Sequence, residues 1–279
     1  MKPDTDDGPE RQPIERAHLN DPTDTSSKVF RYPAAPELAA LMRRYWIPVW
    51  SVPAGRESVQ RVLQYPVCLA VVAKDYARFY GITSGLSRTT LVGDGWAAGV
   101  MFTPAAGHLL THTPVAAFTD RFVDLSEVFG EDGTQLAGSI RAVMDSDPRS
   151  PESHRSAMDL FDDMLRPLAS IDDEGRLINE VVAYVEDNPD VLRVEQVRNE
   201  FGLSERALQR LVHRRIGLTP KWLIQRRRLQ EAAGRLRERS IPLAEMAALL
   251  GYADQPHFVR DFAKVVGMTP AVFAQRYGA

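Results

Sequence analysis

An α+β chain is predicted: a β-rich, sensor-like N-terminal domain, then an all-α domain holding two helix-turn-helix units joined by a central helix. Three observations carry this. First, one pattern occurs twice near the C-terminus: Gly202-Leu203-Ser204 precedes Leu208, Arg210, Gly217 and Pro220, and Gly251-Tyr252-Ala253-Asp254 precedes Phe258, Arg260, Gly267 and Pro270. The offset is 49 from Gly202 to Gly251 and 50 from Ser204 to Asp254, so the one-residue difference falls in a turn, where chains tolerate insertions. Second, charge is split. Residues 191–279 hold 16 Lys/Arg against 8 Asp/Glu, leaving 18 against 29 in residues 1–190, behind a formal net charge of −3. Third, residues 59–102 carry short extended apolar runs separated by glycine turns, the pattern of a β-rich domain.

Residues 1–28, with Asp4, Asp6, Asp7, Pro9 and Pro13, read as a disordered tail without the apolar core of a signal peptide, and the expected location is the cytoplasm. Residues 29–145 form the N-terminal regulatory domain, a candidate for ligand binding or dimerisation. Strands are expected at Val59–Tyr65, Cys68–Ala73, Ala77–Ile82 and Gly99–Phe102, with turns at Thr83-Ser84-Gly85 and Gly93-Asp94-Gly95, and helices near Pro36–Tyr45 and Leu125–Met144. The lone Cys68 excludes a disulfide framework and reads as a buried strand residue. Its apolar run is too short to span a bilayer, so no membrane is expected. Trp46, Tyr65, Tyr80, Trp96 and Phe102 are candidates for lining a small-molecule pocket, with core packing as the alternative.

Residues 146–171 are read as a linker carrying an amphipathic helix. Ala157, Leu160, Phe161, Met164, Leu165 and Leu168 recur at helical spacing, a stripe that either packs on its own N-terminal domain or makes a homodimer contact. Residues 172–279 form the basic domain, opened by a helix with Leu177, Val181, Val182 and Val185. In the first repeat Val194, Val197 and Phe201 make one short helix, Gly202 ends it, and Ser204 is placed to cap the next, whose buried face is Leu208, Leu211 and Val212. In the second, Met246, Ala247, Leu249 and Leu250 precede a cap at Asp254 and anchors at Phe258 and Phe262, with Pro256 harmless in the first helical turn. Between them, Thr219 and Pro220 start a helix to about Arg239, with Trp222, Leu223, Leu229, Ala232 and Leu236 at helical spacing. At 1.5 Å per residue it is roughly 30 Å long, close to the ~34 Å that separates successive major grooves on one face of a duplex.

Residues 175–277 resemble the AraC/XylS family of bacterial transcription regulators, on Leu203-Ser204-Glu205-Arg206-Ala207-Leu208-Gln209-Arg210, Gly217-Leu218-Thr219-Pro220, Arg228-Leu229, Gly251-Tyr252-Ala253-Asp254-Gln255-Pro256-His257-Phe258 and Gly267-Met268-Thr269-Pro270. The resemblance implies base reading of double-stranded DNA by Arg206, Gln209 and Arg210 in the first unit and by Gln255, His257 and Arg260 in the second. Asp261 and Ala263 depart from positions that are often small and basic, respectively, in the family. The 99–107 stretch and Tyr45-Trp46-Ile47-Pro48 resemble the N-terminal domain of one subset of these regulators.

Arginine can pair with guanine and glutamine with adenine through two bonds each, at about 1–3 kcal/mol of discrimination per pair. Ser204, His213, Arg214, Lys221, Arg226, Arg227 and Lys264 are the candidate phosphate contacts, which position without specifying; a solvated or internally paired helix face is the alternative for each arginine. The expected function is therefore a sequence-specific regulator, activator or repressor. RNA polymerase is its partner if it activates, and a small-molecule effector is a candidate partner. The rival is an enzyme in the N-terminal domain tethered to DNA by the C-terminal module. Against catalysis, there is no nucleophile elbow or phosphate loop, and no cofactor is expected. His108 and His112 are four apart but lie between Pro104 and Pro114 without a nearby carboxylate, so no metal site is expected.

Overall fold

The computed structural model describes residues 18–19, 23–63, 65–238 and 241–278. Eight strands come first: β1 (Ser27–Pro33), β2 (Met42–Ser51), β3 (Ser58–Val62), β4 (Leu69–Ala73), β5 (Ala77–Tyr80), β6 (Ser87–Leu91), β7 (Asp94–Phe102) and β8 (Phe122–Asp124). Six form one antiparallel sheet in the order β1-β2-β7-β4-β5-β8, and β3 pairs β6 in a separate two-stranded ribbon. Strand alternation sorts the side chains. Tyr45, Ile47 and Val49 of β2 and Trp96, Ala98, Val100 and Phe102 of β7 enter the main core. On the opposite face the Trp50 and Trp46 rings lie against Gly95 and Gly99, where a Cβ would come within 2.3 and 2.6 Å of a ring atom. No larger residue fits beneath either ring.

Helices α1 (Ala106–Thr111), α2 (Leu125–Met144) and α3 (Pro151–Leu165) complete the N-terminal domain. Asp124 and Glu127 close a capping box on α2, which kinks at Gly130 (φ 61°). The expected helix near Pro36–Tyr45 is not formed: Pro36–Leu38 make a single 3-10 turn and β2 starts at Met42, because the following residues alternate in burial rather than recur at helical spacing. The tail assignment also needs correction. Leu19 is fully buried and bonds Arg61 O through its amide (2.8 Å), and β1 begins at Ser27; residues 1–17 and 20–22 lie outside the described residues. Residues 146–171 carry the expected amphipathic helix as α3. Ala157, Phe161 and Leu165 of α3 are buried in the main core, so the stripe packs on its own domain.

The C-terminal domain is α4 (Asp173–Asp187), α5 (Val194–Glu200), α6 (Glu205–Ile216), α7 (Pro220–Glu238), α8 (Leu243–Leu249), α9 (Gln255–Val266) and α10 (Pro270–Tyr277). Helix α7 is the central helix; its 19 residues span about 28 Å. The expected end at Arg239 lies outside the described residues. Two hydrophobic cores divide the domain. Leu208, Leu211, Val212, Ile216, Leu223 and Ile224 join the core of the N-terminal sheet, whereas Leu229, Ala232, Leu236, Phe258, Phe262 and Phe273 pack with Leu19, Leu63, Tyr65 and Val67.

Candidate nucleic-acid interface

The two helix-turn-helix units close with the same bonds. After α5, Leu203 N–H donates to Arg198 O (3.0 Å); after α8, Tyr252 N–H donates to Ala247 O (2.9 Å). Gly202 (φ 61°) and Gly251 (φ 70°) supply the left-handed residue that this closure requires. Ser204 Oγ then accepts from Ala207 N–H (3.2 Å) and Asp254 Oδ1 from His257 N–H (2.7 Å), satisfying an orphan amide of α6 and of α9. Leu203 matches Tyr252 and Ser204 matches Asp254, so Ala253 is the extra residue of the second turn. The repeat continues past both helices: Gly217 (φ 78°) and Gly267 (φ 77°) end them, and Thr219 and Thr269 accept from Trp222 N–H (3.2 Å) and Val272 N–H (3.4 Å).

Burial on one side aims the other side outward. Helix α6 buries Leu208, Leu211, Val212 and Ile216 and exposes Arg206, Gln209, Arg210 and His213, one stripe at i, i+3, i+4 and i+7. Helix α9 buries Phe258, Phe262 and Val266 and exposes Gln255, His257, Arg260 and Lys264. Gln209 also donates to Glu205 (3.2 Å), and the His257 ring stands edge-on to Tyr252 at 5.2 Å. Among the described residues no ion pair engages Arg206, Arg210, Arg260 or Lys264. All six expected base-reading residues therefore lie exposed on α6 and α9.

The expected phosphate contacts divide. Lys221, His213 and Lys264 are exposed, and Ser204 is exposed with its hydroxyl used as a cap. Arg214 is paired with Glu174 at 3.1 Å. Arg226 and Arg227 require correction, because both are buried (3% and 7% exposed) and face protein rather than solvent. Arg226 donates to the carbonyls of Thr83 (3.3 Å), Ser84 (2.7 Å) and Gly85 (3.0 Å), and its guanidinium lies 4.7 Å from the Trp222 ring. Burial pulls its pKa down to about 10. Arg227 bonds Glu231 (2.9 Å) and Val191 O (2.8 Å). Helical periodicity places Arg226 and Arg227 three and four residues after the buried Leu223, on the inward side of α7, but an arginine run in a basic segment conceals that placement.

Arg215 is a residue the sequence did not single out. Only 2% exposed, it meets Asp172 (2.5 Å) and Glu174 (3.1 Å) and reaches Ala105 O (3.5 Å). Its counterpart at the repeat offset is Val265, an apolar residue, and that mismatch is the signal available in the sequence.

The five aromatics expected to line a pocket are not brought together. Trp96 and Phe102 face the main core, Trp46 and Tyr80 pack on the opposite face of the sheet, and Tyr65 belongs to the second core. A cleft of about 410 Å³ does open at the end of the sheet, between Trp50, Trp96, Lys74, Asp94, Asp145 and Arg149. Trp96 Nε1–H donates to Asp145 there (2.9 Å). Cys68 is buried, and burial pushes its thiol up to about 12, which leaves it protonated and unreactive. His108 Nδ1 lies 2.9 Å from Thr113 O, and among the described residues no group of His, Cys, Asp and Glu could hold a metal ion. No described helix is long and apolar enough to cross a membrane.

Comparison with known proteins follows the same division. The helix-turn-helix domain family matches residues 198–276, and a family described as a domain of unknown function matches residues 30–124. The probable transcription factor PqrA of Proteus vulgaris is 28% identical over 102 residues, 36% of this chain and 84% of that protein. The HTH-type transcriptional activator RhaS of Escherichia fergusonii is 31% identical over 99 residues, 35% of this chain, and the match spans only 36% of the relative's own length. For the HTH-type transcriptional activator RhaR of Cronobacter sakazakii that share is 38%. A solved probable AraC family transcriptional regulator from Rhodopseudomonas palustris is 27% identical, covers 36% of this chain and 94% of its own, and has a TM-score of 0.32.

Proposed function

We propose, for a chain that belongs through its C-terminal domain to the AraC/XylS family of bacterial regulators, that it is a sequence-specific transcription regulator reading two successive major-groove segments of double-stranded DNA. The observation that carries the reading is the duplicated geometry: two identically closed turns, each presenting an exposed cationic and amide-bearing stripe on a capped helix. Arg206, Gln209 and Arg210 read one half-site, and Gln255, His257 and Arg260 read the other. Lys221, His213 and Lys264 hold phosphates, and the binding weakens steeply with salt. The protein acts in the cytoplasm and catalyses no reaction. A small-molecule effector and, if the protein activates, RNA polymerase are the further partners of this reading. A homodimer through α3 is not part of this reading, since its apolar stripe is already covered.

Selection of bound duplexes from a random library by the full-length chain tests it, with Arg210→Ala and Arg260→Ala alongside. The expected result is one two-part motif, each variant relaxing a different half at a cost of about 1–3 kcal/mol. Relaxation of both halves by one variant, or no motif at any salt, overturns the reading.

A further inference from the structure

One stripe of α7 is bonded to the N-terminal domain through the first half of the helix. Trp222, Arg226 and Gln230 lie four residues apart, hence on one side of the helix. Trp222 Nε1–H donates to Ser84 O (3.0 Å), Arg226 to the carbonyls of residues 83–85, and Gln230 Nε2–H to Leu63 O (2.8 Å). Every acceptor is a backbone carbonyl. Leu63 directly follows β3 and residues 83–85 shortly precede β6, so the acceptors sit at one end of the two-stranded ribbon, where Val62 pairs with Ser87. Arg226 and Gln230 are both buried, so neither bond is a loose surface contact.

The two reading helices also rest on different cores, each built partly from N-terminal residues. The α6 unit shares its core with the sheet, and the α9 unit shares its core with Leu63, Tyr65 and Val67. Helix α7 crosses from one core to the other between Ile224 and Leu229, and Arg226 sits within that crossing. A long helix curves by itself; these bonds tie α7 to the ribbon across the junction of the two cores.

We propose that the N-terminal domain sets the separation and relative orientation of α6 and α9, and that Arg226 is the positioning residue through which it does so. The proposal rests on the DNA-reading function above. Arg226 touches no base or phosphate; it fixes α7 on the 83–85 turn, and α7 fixes the distance between half-sites. Because the acceptors are carbonyls, the turn's backbone shape rather than its side chains is what α7 recognises.

The test reads spacing rather than affinity. Full-length wild type and Arg226→Ala are each run against duplexes carrying the selected half-sites at the native separation and at one base pair more or less, with folded fraction checked by circular dichroism. Wild type is expected to prefer one separation, and Arg226→Ala to lose that preference by about tenfold, the scale of a lost charge-assisted hydrogen bond. A merely destabilising change lowers binding to all three duplexes alike and overturns the proposal, as does an unchanged preference in a folded variant. If Arg226→Ala does not fold, Trp222→Phe, which removes the indole N–H bond to Ser84 and keeps a smaller aromatic ring beside Arg226, is read on the same duplexes with the same two outcomes. Failure of the wild type to select any two-part motif is distinct: it removes the DNA-reading function and this inference with it.

Discussion

The two helix-turn-helix units are copies in backbone and differ in what holds them. The first unit is seated on the N-terminal domain at the end of α6. Gly217 meets Thr119 and Ala116, Thr119 Oγ1–H donates to Gly217 O (3.2 Å), and Arg215 is buried against Asp172, Glu174 and Ala105. The corresponding end of the second unit is open: nothing lies within 4 Å of a Cβ at Gly267, and Val265 replaces the buried arginine. That unit, which shares its core with Leu63, Tyr65 and Val67, takes its side-chain bonds from α7. Gln225 donates to Asp261 (2.7 Å), and the Arg228 guanidinium lies 4.0 Å from the Tyr252 ring. Asp261, a departure from the family pattern, is therefore a bond to the central helix. One sequence template thus gives a docked copy and a free-ended one, and the residues that differ between the copies record which is which.

The glycines give the widest contrast, because their backbone strain is equal and only their surroundings differ. Gly217 and Gly267 sit at φ 78° and 77°. Alanine at either position meets a left-handed penalty of about 1–2 kcal/mol. At Gly217 the added Cβ also falls 2.5 Å from Thr119 Oγ1 and 2.8 Å from the Ala116 amide nitrogen, an overlap costing about 1–3 kcal/mol more. Gly217→Ala is expected to lower stability by about 3 kcal/mol and Gly267→Ala by about half of that, read as urea midpoints at constant m-value. Equal losses would break the comparison, since they would mean that the first unit does not rest on residues 116–119.

A smaller contrast comes from the position pair 215 and 265. Arg215→Leu removes a buried guanidinium whose carboxylate partners keep access to water, Asp172 at 55% and Glu174 at 30% exposed; a loss of about 1–2 kcal/mol is expected, below that of a fully buried pair. Val265→Ala, at a half-buried position, should cost about 1 kcal/mol or less. The sharper distinction is in where each acts. Limited proteolysis of Arg215→Leu is expected to open the 116–120 and 172–176 segments, whereas Val265→Ala leaves them as in the wild type.

The same contrast explains how far the sequence could be read. The repeat, its caps at Ser204 and Asp254, its glycine turns and the outward stripes of α6 and α9 were legible because each depends on local chemistry: a hydroxyl or carboxylate three residues ahead of an amide, a residue free to take positive φ, an apolar spacing. Helix α2 was legible over its full length for the same reason. The tertiary partners of charged residues were not. Arg226 and Arg227 look like solvent-facing cations until the ribbon that accepts their side of α7 is in place, and that ribbon is remote in sequence. Strand β2 was hidden by the helix expected near Pro36–Tyr45, although the alternation of Tyr45, Ile47 and Val49 against Trp46 and Trp50 marks a strand. The proposed pocket aromatics failed because a list of rings does not say which face of a sheet each one occupies.

The smallest expected effect is a pH dependence confined to the docked unit. Burial acts to raise the Asp172 carboxyl, but the Arg215 hydrogen bond and the Gly175 amide outweigh it, so its pKa lies below the ordinary 3.8 in the folded chain. A depressed carboxylate contributes stability that is complete above the unfolded pKa and is lost as pH falls through the folded one. The difference in stability between wild type and Arg215→Leu should therefore be constant well above the ordinary carboxylate pKa of 3.8 and shrink as pH falls below it, as the carboxylate that Arg215 holds becomes protonated. Water around the half-exposed Asp172 screens the pair and keeps the change small. Val265→Ala has no titrating partner, so its difference from wild type should stay flat over the same range. A parallel decline in both variants would assign the acid sensitivity to the chain as a whole rather than to the seat of α6.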